Sequence, residues 1–388
     1  MSEVKIENFL MTENINSVLE ECLLSKQYYL GVFLGRLTPV PNERYYELMA
    51  SLEKAVRVVP KKEEIKQKIV QKPTQEESAE EIVKEIVEEI IQEIIQEIPD
   101  VKTRVKIMCN WCTSEELMLL WDKMSKGNCT WNNLQLVMNE PIDFYVIINA
   151  PPANIFFDPK KTVLFRMEPN MTKHPEIWRE WTNPKNEDFF RVCKHEEGYY
   201  NNVEWHLSKT YQELTTFIPR KNTDWGKVIS AVLSGKYSDP GHIKRVDFIK
   251  FLEKKLPGNV HVYGDNKWNY TDYKGVLPPY CKDEGIFPYK YTFAVENQSV
   301  KNYFTEKLID CILGESLCFY CGCFNVKEYI DERAFVQLEL SNFEKDYEII
   351  RKAVEENWYE RRLPHIREAK RKILTDLQFF PRLEKILI

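Results

Sequence analysis

The chain has 388 residues, 43% of them hydrophobic and 13% aromatic, with a formal net charge of −6. That apolar content supports two domains or one large α/β assembly and excludes a disordered protein, while the negative balance argues against a nucleic-acid partner. No apolar run reaches the roughly 18–20 residues that span a bilayer, and Met1 to Leu10 lacks a basic stretch followed by an apolar one. The expectation is a soluble, unexported, cytoplasmic protein with no transmembrane segment.

Ten cysteines are too few for a dense disulfide scaffold in a chain this long, so reduced thiols are expected. Cys109-x-x-Cys112 and Cys318-x-x-Cys321-x-Cys323 have spacings that a metal could use. The second group, however, falls in an apparent buried strand and turn, where cysteine acts as a small hydrophobe.

In chain order, residues 1–60 hold two apolar segments, Val18 to Leu34 and Tyr45 to Val59, parted by the breaker cluster Thr38-Pro39-Val40-Pro41-Asn42. They read as a helical extension with no chemistry attached. Residues 61–100 are an acidic low-complexity linker in which Glu-Ile-Val-Lys and its variants repeat every four residues from Glu81. A period of four exceeds 3.6, so the apolar pair winds around a helix instead of holding one face. The segment is a helical spacer, with self-association through 81–98 as the other reading. From Thr74 to Asp100 it carries a charge of about −9, which leaves the remainder of the chain near +3 and suits that remainder to an anionic ligand.

An α/β pattern begins at Val101. Residues 101–225 give a strand around Val105 to Cys109, a helix from Glu115 to Lys123, a strand from Tyr145 to Asn149, and a strand from Thr162 to Arg166 that places Glu168 at its tip. The segment 170–225 is rich in tryptophan, histidine and carboxylates. Trp178, Trp181, Glu187 and Trp205 have the chemistry of a sugar-binding surface, since pyranose C–H faces stack on rings while hydroxyls bond polar groups; the same tryptophans could equally fill an interdomain core.

Residues 226–355 form a second α/β half. A strand from Lys227 to Ser234 runs into a Gly-bearing loop and a helix from His242 to Lys254, with Lys244 and Arg245 near the helix start as an anion cradle. Residues 289–330 read as strand, polar loop, helix, strand. Tyr291, Phe293 and Val295 alternate, Leu308, Ile309, Ile312 and Leu313 recur at helical spacing, Gly314 supplies a stop, and Leu317 to Tyr320 is a short apolar run. In an open parallel sheet the turn of such a βαβ unit, here rich in polar residues from Glu296 to Lys307, lies where ligands bind. Residues 356–388 read as helices interrupted near Pro364 and ended near Pro381, with their basic residues on a solvated face.

The run Phe293-Ala-Val-Glu-Asn297, followed after a fixed interval by Tyr303-Phe-Thr-Glu-Lys307, resembles the donor-binding signature of the α1,3/4-fucosyltransferases, glycosyltransferase family 10. The helix, strand and Gly-Cys-Phe-Asn-Val turn that follow are also similar to that family, and the resemblance extends more thinly over roughly residues 103–388. It implies two Rossmann-like domains facing a cleft, the B-type glycosyltransferase architecture, in a soluble bacterial- or viral-like member. The implied activity is inverting transfer of fucose from GDP-fucose to a hydroxyl of a glycan acceptor. Arg245, Asn297, Tyr303, Glu306 and Lys307 would bind the donor, with Lys244 as the alternative to Arg245, and Glu168 would be the catalytic base. No Asp-x-Asp motif is present, so neither a metal nor another cofactor is expected. A transferase using another nucleotide sugar, or a catalytically silent interaction protein on the same scaffold, are the alternatives.

Because the α/β pattern starts only at Val101, deletion of residues 1–100 is expected to leave GDP affinity and donor turnover largely intact. A truncated protein that folds but fails to bind GDP would place the domain boundary elsewhere.

Overall fold

The structure, a computed structural model, describes residues 102–387, so the helical extension and the acidic spacer lie outside the described residues. Two six-stranded sheets organise this span. The first half contains β1 (Thr103–Cys109), α1 (Ser114–Asp122), β2 (Thr130–Trp131), β3 (Leu134–Leu136), β4 (Phe144–Ile148), β5 (Thr162–Phe165) and β6 (Arg191–Cys193). Its strands lie in the order β2-β3-β1-β4-β5-β6, and β1, β4, β5 and β6 run parallel. β4 reads Phe-Tyr-Val-Ile-Ile with every residue buried, as a central parallel strand covered on both faces requires. Cys109, Ile148 and Phe165 stand side by side in the register. The loops after β1, β4 and β5 therefore leave the sheet along one edge, and Glu168 is on the last of them.

After α2 (Tyr211–Thr216), the second half runs through β7 (Ile229–Leu233), α3 (Pro240–Lys255), β8 (Val260–Gly264), β9 (Tyr273–Gly275), β10 (Tyr291–Val295), α4 (Glu306–Leu313), β11 (Leu317–Cys321) and β12 (Phe335–Gln337). Its order is β12-β11-β10-β7-β8-β9, with parallel pairing between each neighbouring pair. The chain moves outward from β7 to β9, then returns to the other side of β7 and moves outward again through β10, β11 and β12. The order thus reverses between β7 and β10, and the crevice outside their carboxyl ends is where such a sheet takes its ligand. The βαβ unit read at 289–330 is β10-α4-β11.

One glycine fixes how that crevice closes. The Gly241 N–H, in the first turn of α3, donates to the Asn297 carbonyl at 3.0 Å. A Cβ at Gly241 would overlap the Glu296 carbonyl oxygen and stand 2.7 Å from Asn297 O. Only glycine lets the helix start approach the end of β10 so closely.

The C-terminal segment departs from the sequence expectation in two ways. The helix does not break near Pro364. It ends α5 (Phe343–Glu355) at Asn357, whose φ of 52° is left-handed, and α6 (Trp358–Lys372) then runs through Pro364. Pro381 lies inside the first turn of α7 (Phe379–Leu387), where its missing N–H has no intrahelical partner to lose. The basic residues are also not all solvated. Lys370 is 6% exposed and donates to Glu315 Oε1 at 3.0 Å and to the Phe217 carbonyl at 2.7 Å. Arg382 lies over the Tyr200 ring at 4.1 Å, and its helix packs on the first half, with Phe379 against Trp121 and Phe165. The last helix therefore returns to the first sheet and ties the two halves together.

Gly241→Ala is expected to destabilise the fold by about 1–3 kcal/mol, the usual cost of overpacking. The measurement is a lowered urea midpoint at unchanged slope; an unaltered midpoint would show that α3 is free to move from β10.

Candidate active site

The site is assembled around Glu296, the residue that follows β10. Its side chain is 1% exposed. Oε1 accepts from the Thr305 N–H at 2.8 Å and from the Tyr320 hydroxyl at 3.3 Å, and Oε2 accepts from the Thr305 hydroxyl at 2.7 Å. Lys307 Nζ stands 3.5 Å from Oε2. Burial pushes the Glu296 carboxyl up while Lys307 pulls it down, and burial prevails. Thr305 is the residue that caps α4, its hydroxyl accepting from the Lys307 N–H at 3.3 Å. One buried carboxylate thus fixes the end of a strand, the cap of the next helix and the lysine beside it.

Outside the carboxyl ends of β7, β8 and β10 lies a cavity of about 670 Å³. Arg245, Asn297, Glu306 and Lys307, four of the five expected donor-binding residues, stand on its wall. Arg245 is 4% exposed; its Nη2 donates to Ser234 Oγ at 2.7 Å and its Nη1 to Asn297 Oδ1 at 3.3 Å, while its Nε has no partner among the described residues. Lys244 instead donates to the Glu339 carbonyl at 3.3 Å and is absent from this wall, so the geometry favours Arg245 of the two. Glu306 lies 3.0 Å from Lys307 Nζ and 3.7 Å from Lys282 Nζ. Burial alone would raise the Glu306 carboxyl, but Lys307 and Lys282 outweigh it and hold the group well below the usual carboxylate range. Lys236, Arg245, Lys282 and Lys307 face only Asp265 and Glu306 among the charged residues of the wall, a balance that favours an anionic ligand.

Tyr303, the fifth expected donor residue, is not on that wall. It is 3% exposed, packed edge-on against His195 with ring centroids 5.5 Å apart. This is the junction of the halves, where the Asn302 side chain donates to the His195 carbonyl at 2.5 Å, and Tyr303 is buried because the junction excludes water there. Glu168, on the loop after β5 in the first half, is also not on that wall, and its side chain is exposed. The protein around it still displaces enough water to raise its carboxyl, Lys307 opposes the shift, and Glu306, Lys236 and Asp239 are the other charges that act on it. Met167 and Glu168 both donate their N–H groups to Asn149 Oδ1, at 2.7 and 3.0 Å. The β4 loop thereby fixes the β5 loop that carries the carboxylate.

The expected acceptor-side residues separate. Trp205 is 1% exposed and donates its indole N–H to the Lys209 carbonyl at 2.9 Å, so it fills the core and offers no face to a sugar. Trp181 packs on Phe157 and Phe189 and is half-buried, Trp178 is half-buried, and Glu187 is exposed beside Lys185. Sequence reasoning missed Lys282, which bridges Glu306 and Asp310, the latter at 2.7 Å. It follows Pro-Pro-Tyr-Cys in an irregular stretch, and nothing in its local pattern marks it. Ser234, directly after β7, had the signal of a polar residue at a strand end.

Residues 219–354 match the family described as glycosyltransferase family 10 (fucosyltransferase), C-terminal. No curated protein matches the chain. Among solved structures, an α1,3-fucosyltransferase with GDP-fucose is 18% identical, covering 72% of this chain and 92% of its own, with a TM-score of 0.43. Anabaena HepE in complex with UDP is 9% identical, covering 74% and 98%, with a TM-score of 0.42. WaaG, a glycosyltransferase involved in lipopolysaccharide biosynthesis, is 10% identical, covering 73% and 98%, with a TM-score of 0.41.

Proposed function

We propose, on the premise that residues 219–354 form a glycosyltransferase family 10 domain, that the protein transfers fucose from GDP-fucose to a hydroxyl of a glycan acceptor with inversion at the anomeric carbon. The observation that carries this reading is the convergence of Arg245, Asn297, Glu306 and Lys307 on one cavity at the β7/β10 crevice. The diphosphate of the donor would lie against Arg245 and Lys307, beside the start of α3, where a guanidinium and an ammonium both favour negative charge.

In the transfer step the glycosidic bond to GDP breaks as the acceptor oxygen attacks from the opposite face. Charge grows on the leaving diphosphate, and the fixed cations Arg245 and Lys307 neutralise it without reorganisation. Glu168, on the β5 loop of the other half, would take the acceptor proton. A carboxyl raised above its ordinary value, as this one is, is a stronger base when ionised than an unperturbed one. Cations of the wall can supply the electrostatic role that a metal plays elsewhere, so turnover in excess chelator is part of the proposal.

Titration with GDP, GDP-fucose and UDP-sugars separates this reading from its rivals. GDP preference with turnover supports it, UDP preference points to another donor, and absence of nucleotide binding leaves an interaction protein. Lys307→Ala is expected to weaken GDP binding by about 1.5–3 kcal/mol through loss of a charge-assisted contact. Unchanged affinity measured by calorimetry would confine Lys307 to its ion pairs with Glu296 and Glu306.

Glu168→Gln is expected to lower kcat by roughly 10²–10⁴-fold while leaving GDP-fucose affinity nearly unaltered. The base works only when ionised and its folded pKa is raised above 4.5, so wild-type kcat is lost as pH falls through that raised value. The variant would lack this acid limb. A variant with wild-type kcat at every pH would move the base to Glu187, Asp188, Glu196 or Glu197.

A further inference from the structure

Asp265 stands on the cavity wall as a carboxylate in a site whose other charges favour an anion, and phosphate binding gives it no role. It directly follows Gly264, the last residue of β8, and its N–H donates to the Leu233 carbonyl at the end of β7 at 3.0 Å. Its two oxygens are not equivalent. Oδ1 accepts from the Lys267 N–H at 2.9 Å, closing a local turn, whereas Oδ2 accepts no hydrogen bond within the described residues.

The free oxygen has a defined direction. A Cβ at Gly235 would overlap Asp265 Oδ2 and stand 2.7 Å from its Cγ, so the carboxylate leans over the backbone just past β7 and away from β9. Neighbouring strands are about 4.8 Å apart, and the cavity runs from the switch point at β10 and β7 across β8 to Tyr273 and Val276 at and after β9, three strand spacings or about 15 Å. With the diphosphate at the β10/β7 end beside Arg245 and Lys307, the sugar of the nucleoside falls over β7 and β8, and the base reaches β9. Asp265 Oδ2 is at the middle position. A single free acceptor there suits a hydroxyl, whereas a guanine edge presents two adjacent donors. The order strand, glycine-bearing loop, helix, strand, acidic residue also matches the way dinucleotide folds present a carboxylate to ribose.

We propose that Asp265 Oδ2 accepts a hydrogen bond from a ribose hydroxyl of the bound nucleotide, and that Gly235 lacks a side chain so that this carboxylate can reach it. The proposal rests on the nucleotide-binding reading of the cavity but not on the identity of the base, because every ribonucleotide carries the same hydroxyls.

The test is calorimetric titration of the full chain, wild type, Asp265→Asn and Asp265→Ala, with GDP and with 2′,3′-dideoxy-GDP. Asparagine keeps the oxygen that accepts from Lys267, so the turn is preserved while the free acceptor is lost. Wild type is expected to bind GDP roughly tenfold to a hundredfold more tightly than the dideoxy compound, the range of one charge-assisted hydrogen bond. Both variants are expected to lose that preference, weakening GDP and leaving dideoxy-GDP unchanged. Equal loss for the two ligands, wild-type GDP affinity in both variants, or a wild type that does not discriminate would each overturn the proposal. If the chain prefers UDP, the same comparison with UDP and 2′,3′-dideoxy-UDP decides it, and only the GDP reading fails. Absence of all nucleotide binding overturns both.

Discussion

The second half depends on the ionised or hydrogen-bonded state of a single buried carboxylate. Glu296 accepts from the backbone and hydroxyl of Thr305 and from Tyr320, with Lys307 3.5 Å away. A carboxylate taken out of water is tolerated only when its lone pairs are filled and a cation is near. The sequence meets both demands within twelve residues, Glu296 to Lys307. The consequence is positional: the N-cap of α4 cannot shift without unfilling Glu296, and Lys307 cannot leave without stranding it. The cavity wall is therefore set before any ligand arrives, which is what electrostatic stabilisation of a leaving group requires.

A second constraint links the halves. Lys282 donates its N–H to the His206 carbonyl at 2.7 Å, the His206 N–H donates to Asp310 Oδ1 at 2.7 Å, and Asp310 Oδ2 pairs with Lys282 Nζ. This ring joins the segment leaving the first sheet to α4 and to the loop before β10. Together with His195, whose ring nitrogens meet the Asn302 and Met167 carbonyls and whose ring packs on Tyr303, it holds the loop of Glu168 against the turn that precedes α4. Charge placement across the crevice is thus a property of the junction as much as of either sheet.

Much of this was legible in the sequence because it is local. Alternation in Tyr291 to Val295 and helical spacing in Leu308 to Leu313 gave β10 and α4, and the polar identities between them marked the turn. Trp205 lies in the core, one of the two readings its sequence left open, and Tyr303 is off the cavity wall; an aromatic residue reads alike whether it faces a ligand or a core, and only tertiary packing separates the two. Pro364 and Pro381 read as breaks in the sequence, but proline stops a helix only where its missing N–H and its ring conflict with a preceding turn, and at Pro381 no such turn precedes it. Lys282 and Asp265 were invisible as site residues because their significance comes from strand order. β8 and the loop before β10 are brought to one crevice by a topology that no local pattern encodes.

On the proposed function, the β7/β10 crevice holds a nucleoside diphosphate with its phosphates on Arg245 and Lys307. A crystal structure with GDP bound tests it most directly. Phosphate oxygens are expected within hydrogen-bond distance of both side chains, beside the start of α3. Diphosphate found elsewhere on the chain, or in this crevice without contact to either cation, would contradict it.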